Sequence, residues 1–270
     1  AAVADARALI VRNRTQVRGA LLEAAAKLEV VGRLGVGLDN IDLEACAARG
    51  ISVAPARGAN DLPVAEYVVT AALVLLRGAW GASGAVAAGD WPRNALIGRE
   101  ASGKQLGLVG FGAIARETAT RAAALGMTVV AYDPFLDAND AAWGAVAPMT
   151  LDALVATSDI ISLHTPLTDE TRHLVNADLI AKAKTDAIII NAARGGVVDE
   201  AALADAVKRG ALGGAALDVF EEEPLTAAGG AKFHGLDNII LTPHIAGVTT
   251  ESNGRVSELT VRNVLKILDQ

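Results

Sequence analysis

Cysteine is almost missing: Cys46 is the only one in 270 residues. One thiol makes neither an internal disulfide nor a multi-cysteine metal site, so no metal is expected and a reducing, cytoplasmic setting fits. Aromatic residues are equally scarce at 3%, while hydrophobic residues reach 52%, mostly alanine and valine. That balance indicates an alanine-rich α/β protein rather than a disordered one. Basic residues are in the minority, 24 Lys and Arg against 31 Asp and Glu, for a net charge of −7. Without a basic stripe, a nucleic-acid partner is not expected. No apolar run reaches membrane-spanning length, and neither a signal peptide nor an internal repeat is visible.

What is present is an alternation of strands and helices. The stretch Leu106 to Asp133 concentrates it, in the order apolar run, Gly110-Phe111-Gly112, helix, second apolar run, acid. This is the order of a dinucleotide-binding βαβ unit. Gly110 allows a tight turn, and Gly112 lets the main chain approach a pyrophosphate. Ala115 takes the third small position. The helix that follows directs free N–H groups and its positive end at the phosphates. Asp133 comes about 20 residues later, where an acid meets ribose hydroxyls and repels a 2′-phosphate, which favours NAD over NADP.

The same alternation runs through the rest of the chain. Short strands are expected at 8–11, 30–34, 51–54, 160–163, 187–190, 214–219 and 239–241. Helices are expected at 16–28, 43–48, 151–156, 174–182, 200–209 and 251–268, with a long, nearly uncharged one at 64–86. The irregular stretch from Trp91 to Ser102 reads as a linker. The length suits one large or two modest domains.

Seven stretches, in order, make the pattern specific: RLGVGLDNID (33–42), VAEYV (64–68), LGLVGFGAIA (106–115), LHTPLTDETRHLV (163–175), NAARGGVVDE (191–200), LDVFEEEP (217–224) and LTPHIAG (241–247). Together they resemble the D-isomer-specific 2-hydroxyacid dehydrogenases over nearly the whole chain. The resemblance implies an α/β fold with two Rossmann-like parallel-sheet domains and a cleft between them. Residues 1–72 and 248–270 would form the substrate domain, and 73–247 an inserted NAD-binding domain. The family has a further strand and helix ahead of the strand at 8–11, so the substrate domain is expected to lack its first unit. The long helix at 64–86 would lie at a homodimer interface.

By the resemblance, His244 moves the substrate hydroxyl proton, a task suited to a group with a near-neutral pKa. Glu223 would orient His244 and favour its charged form. Arg194 would grip the substrate carboxylate with two parallel hydrogen bonds and polarise the adjacent carbonyl. For the cofactor, the expected contacts are Gly110, Phe111, Gly112, Ala113, Ile114, Asp133, His164, Thr165, Pro166, Ala192 and Gly247, with Asp218 on the nicotinamide carboxamide.

On the substrate side, Val36 and Gly37 could offer main-chain N–H groups to a carboxylate, and Asn60 falls at a substrate-side position. Arg12, Asn13 and Arg14 resemble the loop with which phosphoglycerate dehydrogenases meet phosphate. They point to a substrate with a second anionic group, 3-phosphoglycerate first and sulfolactate next, with hydroxypyruvate or glyoxylate after them. The alternative of another class is an NAD(H)-sensing, corepressor-like binding protein on the same fold.

Overall fold

A computed structural model describes residues 3–269. The elements run β1 (Ala8–Val11), α1 (Gly19–Ala24), β2 (Val30–Arg33), α2 (Leu43–Ala48), β3 (Ser52–Pro55), α3 (Asp61–Arg77), α4 (Ser83–Ala87), β4 (Gln105–Val109), α5 (Ala113–Ala124) and β5 (Thr128–Tyr132). They continue through β6 (Ala147–Pro148), α6 (Leu151–Thr157), β7 (Ile160–Leu163), α7 (Ala177–Ile180), β8 (Ile188–Asn191), α8 (Glu200–Lys208), β9 (Gly214–Leu217), α9 (Ala227–Gly230), β10 (Ile239–Leu241) and α10 (Thr250–Leu268).

The chain divides into two compact units, Ala1–Pro63 with Gly247–Gln270, and Val64–Ala246. The first contains a parallel sheet in the order β1-β2-β3. Helix α10 packs on it. A Cβ built on Gly32 of β2 would lie 2.6 Å from Val264 and 2.9 Å from Thr260, so only glycine admits the helix at that distance. The helix starts in a capping box between Thr249 and Ser252. On the other face of the sheet, Val17, Leu22, Cys46 and Ile51 form a small core.

The larger unit holds a seven-stranded sheet in the order β10-β9-β8-β7-β4-β5-β6, every neighbouring pair parallel. Strands β7, β8 and β9 are buried along their whole length, which is why they read as continuous apolar runs instead of alternating. The direction of winding reverses between β4 and β7, and ligands of such sheets bind beyond the strand ends at that switch point. At Gly107 of β4 a Cβ would meet Leu154 at 2.5 Å, so α6 lies directly on the strand.

Several boundaries differ from the sequence reading. The expected helix at 64–86 is two. Gly78, with φ +61°, ends α3, and the following Trp80–Ala87 segment is bent away by 70°. Val68, Ala71, Ala72 and Leu76 of α3 are buried in the larger unit's core. Hence the units part after Pro63 rather than after residue 72, and Gly247 falls with the smaller unit. The helices expected at 16–28 and 174–182 contract to α1 and α7, the latter capped by Asn176. The edge strand β6 has no counterpart in the sequence reading. Among the described residues no single helix is long and apolar enough to cross a membrane.

Candidate active site

Beyond the end of β4, Gly110 takes φ +90° and donates its N–H to the Tyr132 carbonyl at 2.7 Å. A Cβ there would lie 2.7 Å from the carbonyl oxygen of His164, so the turn after β4 and the end of β7 meet only through glycine. Gly112 is exposed, and a Cβ on it would meet nothing within 4 Å. No side chain caps α5, whose first-turn residues Ala113 and Ile114 are exposed and half-buried. An uncapped helix start above open space is a cradle for a pyrophosphate. Nearby, the Thr165 hydroxyl oxygen is buried without a hydrogen-bond partner among the described residues, and Pro166 is exposed. These features fit a dinucleotide.

Three expected cofactor residues make contacts within the protein. Phe111 turns its ring into the core against Trp143, centroids 5.1 Å apart, and donates its N–H to Asp133 at 2.9 Å. Neither its ring nor its N–H is left for a cofactor. Asp133 also accepts the Phe135 N–H at 3.0 Å, so its carboxylate shapes the turn as well as facing solvent on its half-exposed side. The His164 ring lies 3.0 Å from the Ser162 hydroxyl, and burial lowers its pKa to about 4, which leaves it neutral near pH 7.

Strands β8, β9 and β10 are neighbours, so the loops after them emerge side by side at one edge. The β8 loop carries Arg194, the β9 loop Glu223 and the β10 loop His244. His244 Nδ1 and Glu223 Oε2 are 2.7 Å apart. The other oxygen of Glu223 accepts the Phe220 N–H at 3.1 Å. The hydrogen bond to Glu223 raises the His244 pKa, with burial opposing and the Glu223 and Asp218 charges adding to it. Burial pushes Glu223 up, but the His244 and Phe220 hydrogen bonds and the positive charges of His244 and Arg194 bring it below the usual carboxylate range. Arg194 acts on both partners in these balances.

Asp218 was expected on the nicotinamide. It is 1% exposed, and its carboxylate is largely occupied within the protein. Oδ1 accepts from the Thr242 hydroxyl at 2.6 Å and the Ile245 N–H at 2.8 Å, and Oδ2 from the Ala246 N–H at 2.8 Å. Its own carbonyl accepts the His244 N–H at 2.8 Å. His244 has φ +53°, a left-handed conformation that non-glycine residues seldom adopt. Asp218 therefore fixes the loop that presents the histidine. Tyr67 of α3 extends the chain of bonds, its hydroxyl 2.7 Å from Thr242 Oγ1.

Other contributors carried no recognised role in the sequence. Buried Asn191 accepts the Ala193 N–H at 3.1 Å and donates to the Arg194 carbonyl at 2.9 Å, which folds the β8 loop back on itself. Ala192, expected as a cofactor contact, lies half-buried in that loop. Gly195 packs so tightly on the Phe220 carbonyl that no Cβ fits, which gives the first glycine of Arg-Gly-Gly a steric reason. Glu200, 3% exposed, accepts the Glu221 N–H at 2.6 Å and pairs with Lys232 at 2.7 Å. Glu221 in turn lies 3.1 Å from His173 Nε2. Only the tertiary structure shows that Glu221 and Glu223, within the exposed acidic run 221–223, hold specific partners.

In the smaller unit, the substrate-side residues follow the ends of its three strands. Arg12, Asn13 and Arg14 lie exposed after β1, in a loop pinned by buried Asn40, which donates to the Arg12 carbonyl at 2.9 Å and the Thr15 carbonyl at 2.6 Å. Val36 and Gly37 are half-buried after β2. Asn60 follows β3, its side-chain oxygen buried without a partner among the described residues. An unmet acceptor at that edge is what a ligand donor would satisfy.

The model of the D-isomer specific 2-hydroxyacid dehydrogenase NAD binding domain matches residues 69–246. The (S)-sulfolactate dehydrogenase of Chromohalobacter salexigens is 54% identical over 266 residues, which cover 98% of this chain and 85% of that protein. A D-3-phosphoglycerate dehydrogenase of Archaeoglobus fulgidus is 40% identical over 260 residues, but this chain spans only 49% of its length. The crystal structure of D-lactate dehydrogenase from Aquifex aeolicus, complexed with NAD and lactic acid, superimposes with a TM-score of 0.90 at 32% identity, over 99% of this chain and 84% of that one.

Replacing Asp218 with asparagine turns an NH2 group toward a backbone N–H that the carboxylate now accepts. Asp218→Asn should cost about 2–3 kcal/mol in urea unfolding, the scale of a lost hydrogen bond to a buried charge. An unchanged midpoint would show that the carboxylate does not hold the loop.

Proposed function

Because the chain belongs to the D-isomer-specific 2-hydroxyacid dehydrogenase family, we propose that it interconverts a 2-hydroxy acid and a 2-oxo acid with His244, Glu223 and Arg194 as its working groups. The observation that carries this is the 2.7 Å bond between Glu223 and His244 Nδ1. It commits Nδ1 to the carboxylate and leaves Nε2 as the nitrogen that exchanges a proton with substrate. NAD, when bound, supplies the hydride acceptor for oxidation and the donor for reduction. Gly110, Gly112, Ala113, Ile114, Asp133 and Thr165 are the residues that would hold it.

In oxidation, Nε2 takes the hydroxyl proton, and Glu223 stabilises the imidazolium that results. In reduction, the imidazolium gives that proton to the oxygen of the former carbonyl. Arg194 binds the substrate carboxylate and steadies negative charge developing on the adjacent oxygen. Arg12 and Asn13 recognise a second anionic group, while Val36, Gly37 and Asn60 contact the acid itself. The identity to a sulfolactate dehydrogenase supports a sulfonated substrate ahead of a phosphorylated one.

We further infer a cytoplasmic homodimer that uses the segment after α3. Its support is the exposure of Trp80 at 65%, Trp91 at 79% and Ile97 at 80%, large apolar side chains that a monomer would leave in water. Analytical ultracentrifugation should give a dimer, and Trp91→Lys should weaken it. A wild-type monomer at micromolar concentration would exclude this arrangement.

Reduction needs protonated His244, so its rate should fall as pH rises through the raised His244 pKa. Without the Glu223 charge that pKa drops, so Glu223→Gln should move the falling limb to lower pH. His244→Ala should slow turnover by about 10²–10⁴-fold. Coincident pH profiles for wild type and Glu223→Gln would break the proposed pairing. NADH binding without turnover of any hydroxy or oxo acid would instead indicate a sensor.

Arg12→Ala should raise KM for sulfolactate or 3-phosphoglycerate roughly 10- to 100-fold, the loss of one charge-assisted hydrogen bond, and leave glyoxylate nearly unaffected. Equal losses across the panel would remove the argument for a second anion.

A further inference from the structure

The smaller unit has a solvent-open cavity of about 380 Å³ lined by Arg57, Gly58, Ala59, Arg255, Glu258, Leu259 and Arg262. Arg12, Asn13, Val36, Gly37 and Asn60 are not among its lining residues. Arg255, Glu258, Leu259 and Arg262 recur at the spacing of one helix face, so α10 forms one wall. The loop after β3 forms the other, and Arg57 faces solvent from it. A Cβ on Gly58 would meet nothing within 4 Å, so that wall leaves the cavity clear. Its volume lies within the range of small-molecule sites, roughly 300–1,000 Å³.

Its charge is out of keeping with a chain of net −7: three guanidinium groups line it against one carboxylate. That carboxylate, Glu258, is engaged by Arg262 at 2.6 Å in a pair whose side chains are 71% and 68% exposed. Such a pair contributes little and leaves Arg262 able to turn to a stronger anion. Arg255 donates Nε to the Ala59 carbonyl at 3.1 Å, which sets its guanidinium against the loop, and the Glu251 carboxylate one turn earlier on α10 interacts with its charge. A guanidinium prepositioned in this way loses less freedom on binding an oxyanion.

We propose that this cavity is an anion-binding site, separate from the Arg12 loop, that takes a small molecule bearing a phosphate-like dianionic group. Arg255 forms its fixed point, and Arg57 and Arg262 close on the ligand from opposite walls. The proposal does not rest on the dehydrogenase reading, since no residue of that chemistry takes part.

The test is a titration of the full chain with inorganic phosphate at constant ionic strength held by sodium chloride, followed by thermal unfolding and calorimetry. A ligand that binds only the folded chain raises Tm with concentration. The wild type should show that rise, Arg57→Ala and Arg262→Ala should each weaken phosphate binding about 10-fold or more, and a saturable phosphate site should persist in Arg12→Ala. The proposal fails if phosphate does no more than chloride, or if both cavity variants bind like wild type. It also fails if the response disappears only in Arg12→Ala, because phosphate would then sit in the substrate loop. In that outcome the dehydrogenase reading would stand untouched.

Discussion

The carboxylate of Asp218 sustains the geometry on which the chemistry depends. A histidine in the left-handed region is unfavourable by itself, and three hydrogen bonds to this one side chain hold the loop around it. The backbone of Asp218 meets the backbone of His244 as well, so the end of β9 serves as the template for the loop after β10. The cost of burying this carboxylate is offset because hydroxyl and amide donors replace its water. The consequence is an imidazole whose position is set by the sheet rather than by a mobile loop.

Orientation and charge are then supplied from the neighbouring loop. Glu223 sits between the Phe220 N–H and His244 Nδ1, so its two oxygens have separate partners. The loop that bears it is clamped twice, by Gly195 beneath the Phe220 carbonyl and by the Glu200–Lys232 pair through the Glu221 N–H. Glu200 is buried, so its interaction with Lys232 is less screened than the exposed ion pairs elsewhere on the chain. The β8 loop is folded by Asn191 in the same manner. Each working side chain is therefore backed by a buried polar residue: Asn191 at the end of β8 behind Arg194, Asp218 just after β9 behind His244, and Glu200 at the start of α8 behind Glu223.

A good deal of this was legible in the residues. Continuous apolar runs gave the buried strands, and Gly110, Gly112 and Asp133 marked the dinucleotide turn through requirements that are local to the backbone. What was not legible followed from contacts distant in sequence. Nothing local distinguishes an Asp218 that touches a cofactor from one that braces a loop, or a Phe111 that faces a ligand from one stacked on Trp143. The long run at 64–86, charged only at Glu66 and Arg77, hid its break because glycines inside an apolar pattern, here Gly78, Gly81 and Gly84, are tolerated in a helix and mark its end only weakly.

The sequence by itself determined the parallel α/β architecture, the order of its elements and the residue types available for proton and anion chemistry, because periodicity, glycine and capping residues act within a few positions. Tertiary structure decided which of those residues meet. Arg194, Glu223 and His244 lie far apart along the chain, and they come together because β8, β9 and β10 lie side by side in parallel and release their loops at the same edge. Strand order is fixed by how buried faces pack across the whole sheet, a property that no local stretch contains.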